Sequence, residues 1–214
     1  MTAYKDDFIT LAIEAEALKF GQYTLKSGRV SPYFFNAGAF SRASQLDRLA
    51  RAYAAAIKAS QIEFDIVFGP AYKGIPLAAL IARALFAEHG MDVGFTYNRK
   101  EAKNHGEGGH LVGAELKGRV LIVDDVISAG TAARQSIAMI RQAGASPVAL
   151  AVALDRQEIG PKGLSAIEEL VQDEQLQVIA VATLTDLQHH LSDQPGMQAH
   201  AEAIRAYRNQ YGSK

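Results

Sequence analysis

Residues 120–132, VLIVDDVISAGTA, hold the strongest chemical signal in the chain. Four apolar residues bury the run as a strand, and Asp124 and Asp125 emerge at its carboxyl end. After Val126 and Ile127, the small residues Ser128, Gly130 and Thr131, with Ala129 among them, form a turn before a helix that takes in Ala132. Backbone N–H groups at a helix N-terminus, together with the helix dipole, favour an anion, so a phosphate fits this turn. Two neighbouring carboxylates do not bind phosphate directly. They accept hydrogen bonds from hydroxyls, or hold Mg²⁺ through water. A phosphate at one end and a diol at the other describe a ribose 5-phosphate.

Two further segments carry charge where an anion would need it. GPAYKG (69–74) also follows an apolar run; its tight turn presents N–H groups, and Lys73 adds a point charge that suits a diphosphate beside Tyr72. NRKEAKNHGEGGH (98–110) crowds Arg99, Lys100, Lys103 and His105 onto a polar stretch with three glycines, partly offset by Glu101 and Glu107. It reads as a long loop, and a mobile lid of this kind would close over an anionic substrate and exclude water. An apolar run ending in two acids also occurs in P-loop ATPases, but no G-x-x-x-x-G-K-[ST] string accompanies it here. G-x-G-x-x-G is missing as well. Each segment also has a bland reading: a capped helix, an ordinary Gly-Pro turn, a solvated charge run.

The elements that must position these residues alternate. Helical spacing covers 4–19, 43–60, 75–88, 131–144 and 197–211, and short apolar strands cover 64–69, 92–97, 119–125, 146–155 and 176–184. Residues 30–40 read as extended and rich in turns. This alternation predicts an α/β fold with a mostly parallel sheet covered on both faces, whose ligands sit at the carboxyl ends of the strands. The 214 residues show no linker or repeat, so a single domain is expected. Basic residues number 22 and acidic 23, a balance that argues against gripping long nucleic acid. Cysteine is absent, which removes disulfides, thiolate metal sites and a cysteine nucleophile and suits the cytoplasm. No signal segment or membrane span is visible; the longest apolar run, Val148 to Leu154, is too short to cross a bilayer. His89, His189, His190 and His200 read as surface residues.

Residues 120–132 resemble the phosphoribosyl diphosphate (PRPP) motif of the type I phosphoribosyltransferases. Adding KFGQYTLKSGRVSPYFFNAG (19–38), GPAYKG, the R-K-x-x-K-x-H pattern and ALDRQEIG (153–160), nearly the whole chain is similar, in order, to the bacterial orotate phosphoribosyltransferases. The length excludes the arrangement fused to a decarboxylase. The resemblance implies the type I fold, with a small hood built from residues 1–40 and about 155–175 and with 98–110 as a mobile catalytic loop. It implies transfer of the 5-phosphoribosyl group from PRPP to N1 of orotate, giving orotidine 5′-monophosphate and diphosphate in pyrimidine synthesis.

The roles it implies are specific. Lys26, Phe34 and Phe35 would lie at the base site, with Arg156 and the hydroxyl residue Ser128 holding orotate. Tyr72, Lys73, Arg99, Lys100, Lys103 and His105 would hold the diphosphate, and 124–132 the ribose phosphate. Mg²⁺ would bridge diphosphate and ribose hydroxyls, held mainly by PRPP, with Asp124 and Asp125 reaching it through water. A homodimer is implied, the lid of one subunit completing the other's site. The family more often has Thr at 128; Ser keeps the hydroxyl. The chemistry suits these residue types, because loss of diphosphate needs cations and a dry site rather than a covalent nucleophile. On the residues alone, Arg156 reads as a solvated strand-end cation and Phe34 or Phe35 as core. A purine phosphoribosyltransferase would share the acidic motif but leaves the cations at the base site without a task. A PRPP-sensing transcription regulator would need a DNA-binding extension, and 1–60, with eight basic and five acidic residues, shows no helix-turn-helix pattern.

Overall fold

Strand Arg119–Asp124 shows why the sheet is covered on both sides. Side chains alternate across a strand, and here both sets are apolar. Val120 and Ile122 enter one buried cluster, Leu121 and Val123 the other. The structure, a computed structural model, describes residues 2–25, 27–103, 109–127 and 130–213, with backbone only at 102, 103 and 109. In chain order the strands are β1 Leu18–Thr24, β2 Val30–Phe35, β3 Ile66–Gly69, β4 Gly94–Lys103, β5 Gly109–Gly113, β6 Arg119–Asp124, β7 Ser146–Asp155 and β8 Gln177–Thr183. The helices are α1 Ala3–Glu14, α2 Ala43–Ser60, α3 Gly74–His89, α4 Thr131–Gln142, α5 Ala166–Glu174, α6 Leu184–Asp193 and α7 Gln198–Tyr211.

Six strands form one sheet in the order β5-β4-β3-β6-β7-β8. All neighbours run parallel except β5, which is antiparallel to β4. Residues of α1, α2, α3, α6 and α7 bury one face, and residues of α4 and α5 the other. From β3 the chain crosses to β4 on one side; from β6 it crosses to β7 on the other. The winding therefore reverses between β3 and β6, and a crevice opens at their carboxyl ends, where such sheets take ligands. Both charged turns sit there.

A separate antiparallel pair, β1 with β2, lies over this body, its inner residues Ser31, Tyr33 and Phe35 buried. It sits with α7, whose Tyr207 ring meets Tyr33 edge-on. Residues 157–159 are tied to the end of α7: Ile159 N–H donates to the Tyr211 carbonyl and Ser213 N–H to that of Gln157, both at 2.8 Å. No helix among the described residues is long and apolar enough to cross a membrane.

Several expectations need correction. Helix α1 ends at Glu14, and the 18–24 segment is a strand. The stretch 98–110 is not one long loop. Residues 98–103 continue β4 and 109–110 begin β5, with Tyr97 opposite Val112 and Asn98 opposite Leu111. Polar side chains do not prevent this, because an edge ladder is held by backbone hydrogen bonds. His190 is buried, not a surface residue: its Nδ1 lies 2.6 Å from Asp6 Oδ1, which gives this α6 ring a polar partner on α1. His89 and His200 are half-buried, the latter stacked on Phe20; His189 is exposed as expected.

Candidate active site

The turn after β3 is built on backbone contact. A Cβ on Gly69 would collide with the Gly74 carbonyl, and one on Gly74 would meet the Pro70 ring at 2.5 Å. Only glycines let strand and helix close this tightly. The turn contains a cis peptide at Ala71–Tyr72 and is pinned by Ala71 N–H donating to Asn98 Oδ1 at 2.9 Å. It exposes Tyr72 and Lys73 at the crevice. Tyr72 is two-thirds exposed, and Lys100 Nζ of β4 sits 4.6 Å from its ring centre. This cation–π contact links β4 to the turn after β3.

The turn after β6 is ordered by its own acids. Asp125 N–H donates to Asp124 Oδ1 and Val126 N–H to Asp125 Oδ1, both at 2.9 Å. From α2, the buried Tyr53 hydroxyl donates to the Asp124 carbonyl at 2.8 Å. The Asp125 carbonyl accepts from Ala153 N–H of the β7 strand. Burial, reinforced by the Asp125 carboxylate, pushes the Asp124 carboxyl up to about 6. The Asp125 N–H and the Lys73 charge pull the other way. Asp125 Oδ2 meets Lys73 Nζ at 2.7 Å, joining two turns 52 positions apart in sequence. Gly130, at φ +72°, turns the chain into α4, which starts at Thr131 and runs on through Ala132. The loop thus aims a helix N-terminus at the crevice, as an anion requires.

Arg156 lies just beyond β7, under the β1–β2 pair. Its guanidinium is 5.0 Å from the Tyr33 ring centre, and Nε and Nη2 both donate to Glu158 Oε1, at 2.8 and 2.6 Å. Burial works against the Arg156 charge, but Tyr33 and Glu158 outweigh it and lift its pKa above the ordinary value. It is therefore not a solvated strand-end cation.

The structure brings Tyr72, Lys73, Lys100, Asp124 and Asp125 into one place and gives Arg156 an ordered setting of its own. It does not do so for both phenylalanines. Phe35 turns inward and packs on Phe8 and Phe40, at centroid distances of 6.2 and 6.5 Å, so its ring is core rather than base site. Period-two alternation along β2 forces this once Phe34 faces outward. Phe34 stacks on Tyr23 at 5.4 Å and borders a cavity of about 420 Å³ with Glu16, Lys19 and Asn36. It thus faces away from Tyr33, the residue that carries Arg156. Val126 and Ile127 pack against the two cores as partly buried residues. Lys103 ends β4 opposite Gly109, and Arg99 lies four positions earlier on that strand. Lys26, His105, Ser128 and Ala129 lie outside the described residues, as does the Lys103 side chain.

Four contributors escaped the sequence reading: Asn98, Tyr53, Tyr33 and Glu158. Asn98 and Glu158 lie inside segments already singled out, and an amide or acid among cations is a readable cue. Tyr53 and Tyr33 look like core positions, and only the fold shows what their polar ends or faces meet.

Comparison with known proteins follows the same lines. A family model described as phosphoribosyl transferase domain matches residues 38–182. The chain is 57% identical to the orotate phosphoribosyltransferase of Cellvibrio japonicus over 212 residues, 99% of each chain. It is 56% identical to that of Thioalkalivibrio sulfidiphilus, covering 99% of this chain and 100% of the relative. Among solved structures, it is similar to the orotate phosphoribosyltransferase of Francisella tularensis, with a TM-score of 0.87 and 38% identity over 96% of this chain and 99% of that one.

Proposed function

The chain belongs to the phosphoribosyltransferase family, and from that premise we propose that it is an orotate phosphoribosyltransferase of pyrimidine synthesis. It transfers the 5-phosphoribosyl group from PRPP to N1 of orotate, releasing diphosphate. The observation that carries this reading is the meeting of Lys73 and Asp125 at 2.7 Å across the crevice between β3 and β6. A diphosphate-binding cation and a hydroxyl-binding carboxylate are thereby brought to one place, where a single sugar diphosphate can reach both.

The ribose 5-phosphate lies on the turn through Val126, Ile127, Ser128, Ala129, Gly130, Thr131 and Ala132, with its hydroxyls on Asp124 and Asp125. The diphosphate displaces Asp125 from Lys73 and is further neutralised by Arg99, Lys100, Lys103 and His105. As the bond to C1 breaks, positive charge grows on the sugar and negative charge on the leaving group. Fixed cations on the diphosphate stabilise that separation, and a closed hairpin keeps water from the sugar. Arg156 takes the orotate carboxylate as a charge-assisted pair, with Lys26 and Ser128 completing the base site.

Magnesium fits as an ion carried by the substrate. The described residues gather no cluster of three or more acidic or histidine side chains that could cage a metal. Asp124 and Asp125 offer two carboxylates, too few to replace the water shell that magnesium gives up reluctantly. The two acids would therefore hold the ion through water, and when bound it supplies charge neutralisation of the diphosphate. Residues 1–40 and about 155–175 act as the hood of a single cytoplasmic domain. Two subunits share each site through the β4–β5 hairpin: mixing Lys103→Ala with Asp124→Asn/Asp125→Asn should restore part of the activity, whereas confirmed heterodimers without rescue would make each site self-contained.

The direct test follows loss of orotate absorbance in the presence of PRPP and Mg²⁺, beside purine controls. Consumption of a purine and not of orotate would overturn the assignment.

A further inference from the structure

We infer that Glu158 is a positioning residue for Arg156, and that the end of α7 holds Glu158 for this task. The inference rests on the reading of Arg156 as the partner of the orotate carboxylate. Both Nε and Nη2 of Arg156 donate to a single oxygen of Glu158, so the guanidinium is gripped along one edge. The donors of Nη1 and the second donor of Nη2 stay on the other edge, the geometry that a planar carboxylate accepts. Tyr33 lies against the guanidinium face and blocks rotation out of that plane. The second Glu158 oxygen lies 4.0 Å from Arg29 Nη1, and the Arg29 guanidinium sits 4.9 Å from the Tyr211 ring centre. Tyr211 in turn packs on Tyr207, which meets Tyr33.

The backbone closes the same circuit. Glu158 pairs as an antiparallel bridge with Gly212, flanked by the hydrogen bonds from Ile159 to Tyr211 and from Ser213 to Gln157. Glu158 is thus fixed at its backbone by the end of α7 and the residues after it, with the Arg29 charge near its carboxylate. Side-chain exposures of 19% for Arg156 and 17% for Glu158 put the pair where a lost partner is not replaced cheaply by water. A guanidinium freed of Glu158 would sample several orientations, and orotate would have to select one of them. Base affinity should suffer while PRPP, bound in the crevice, is untouched.

The test is a calorimetric and kinetic series on the full chain. Glu158→Gln keeps the shape and removes the charge; orotate affinity should fall about tenfold, as when partners of ligating groups are lost, with PRPP affinity unchanged. Glu158→Asp should recover part of the loss. Tyr211→Leu, which removes the ring under Arg29, should weaken orotate binding about twofold to threefold and serves if Glu158 variants fail to fold. In a double-mutant cycle, Glu158→Gln should cost little more once Arg156→Gln is present. Wild-type orotate affinity in Glu158→Gln alongside a loss in Arg156→Gln would overturn the positioning role and leave Arg156 in place. Equal losses for orotate and PRPP would mark Glu158 as structural support and also overturn it. Wild-type orotate affinity in Arg156→Gln would remove the base-site reading itself, and the inference with it.

Discussion

At the crevice, Lys73 holds Asp125 at 2.7 Å with 62% of the lysine side chain open to solvent, whereas under the hood Arg156 and Glu158 pair with less than a fifth of either exposed. In the proposed reaction the crevice pair acts as a placeholder. Its lysine end is solvated although the Asp125 side chain is only 13% exposed, so a diphosphate with several charges can take Lys73 from the carboxylate. The hood pair is part of the frame, because leaving one of its charges alone would be costly. The same two chemical types therefore do different work. Under the proposed function, one site would rearrange its charges when the substrate arrives and the other would offer a guanidinium already oriented. This division matches the ligands: PRPP brings most of the charge, and orotate brings one carboxylate and needs recognition.

The largest effect is expected where crevice charge acts only in the transition state. Lys103→Ala should lower kcat by about two orders of magnitude or more, because it removes a cation from the departing diphosphate, with the circular dichroism spectrum unchanged. An unaltered kcat would leave the β4–β5 hairpin outside the chemistry and make the crevice as static as the hood. Next comes Asp125→Asn, which removes the carboxylate paired with Lys73 and proposed to pass to the ribose hydroxyls. PRPP affinity measured by calorimetry should fall about tenfold, the scale of a lost charge-assisted hydrogen bond, while orotate affinity is retained. Wild-type PRPP affinity would refute the placeholder role.

The two regions also differ in how openly the sequence declares them. The crevice was legible because its groups sit on short turns directly after strands whose apolar runs are unmistakable, as in LIVDD and IVFGP. Chain order then equals spatial order. The hood was less so. Its strand Leu18–Thr24 carries Lys19, Gly21 and Gln22, and reads as a helix end because half its residues face solvent. Helices α5 and α6 escaped notice for a similar reason: their apolar residues are few, and α6 hides a histidine whose burial depends on Asp6, 184 positions away. Phe34 and Phe35 are adjacent in sequence, yet a strand must send them to opposite sides, which no composition argument can assign before register is known. The Arg156 setting was illegible, since Tyr33, Glu158 and Tyr211 meet only after α7 returns across the sheet.

A pH titration separates the regions with a smaller effect. The Asp124 carboxyl is raised from 3.8 to about 6 by burial and by Asp125. As a carboxylate it accepts hydrogen bonds from the ribose, so PRPP affinity should fall severalfold as pH drops through about 6, with orotate affinity flat. The sign for stability is opposite. The folded state holds this proton more tightly than the unfolded chain, so the free protein should lose stability as pH rises from 3.8 to about 6 and no further above that. Asp124→Asn should flatten that part of both curves. A PRPP affinity independent of pH between 5 and 8, roughly the range in which such a carboxyl titrates, would place the ribose elsewhere.

The smallest effect probes whether the hood works through faces and charges alone. The Tyr33 hydroxyl is buried and has no hydrogen-bond partner among the described residues, and burial raises its pKa well above the ordinary phenol value. Its ring, by contrast, lies against Arg156 on one side and Tyr207 on the other. An unpaired buried hydroxyl costs its desolvation, so Tyr33→Phe should keep the protein as stable or raise stability by about 1 kcal/mol. For a chain of this size that is a rise of about 2–4 °C in Tm. Orotate affinity should stay within about twofold of wild type, because phenylalanine also stacks on a guanidinium. Tyr33→Leu has similar bulk without the aromatic face and should weaken orotate binding more than Tyr33→Phe does. A Tm loss of several degrees in Tyr33→Phe would mean that the hydroxyl holds a polar partner after all. Arg156 would then be oriented by a hydrogen-bonded network, and the contrast with the exchanging crevice would rest on Glu158 alone.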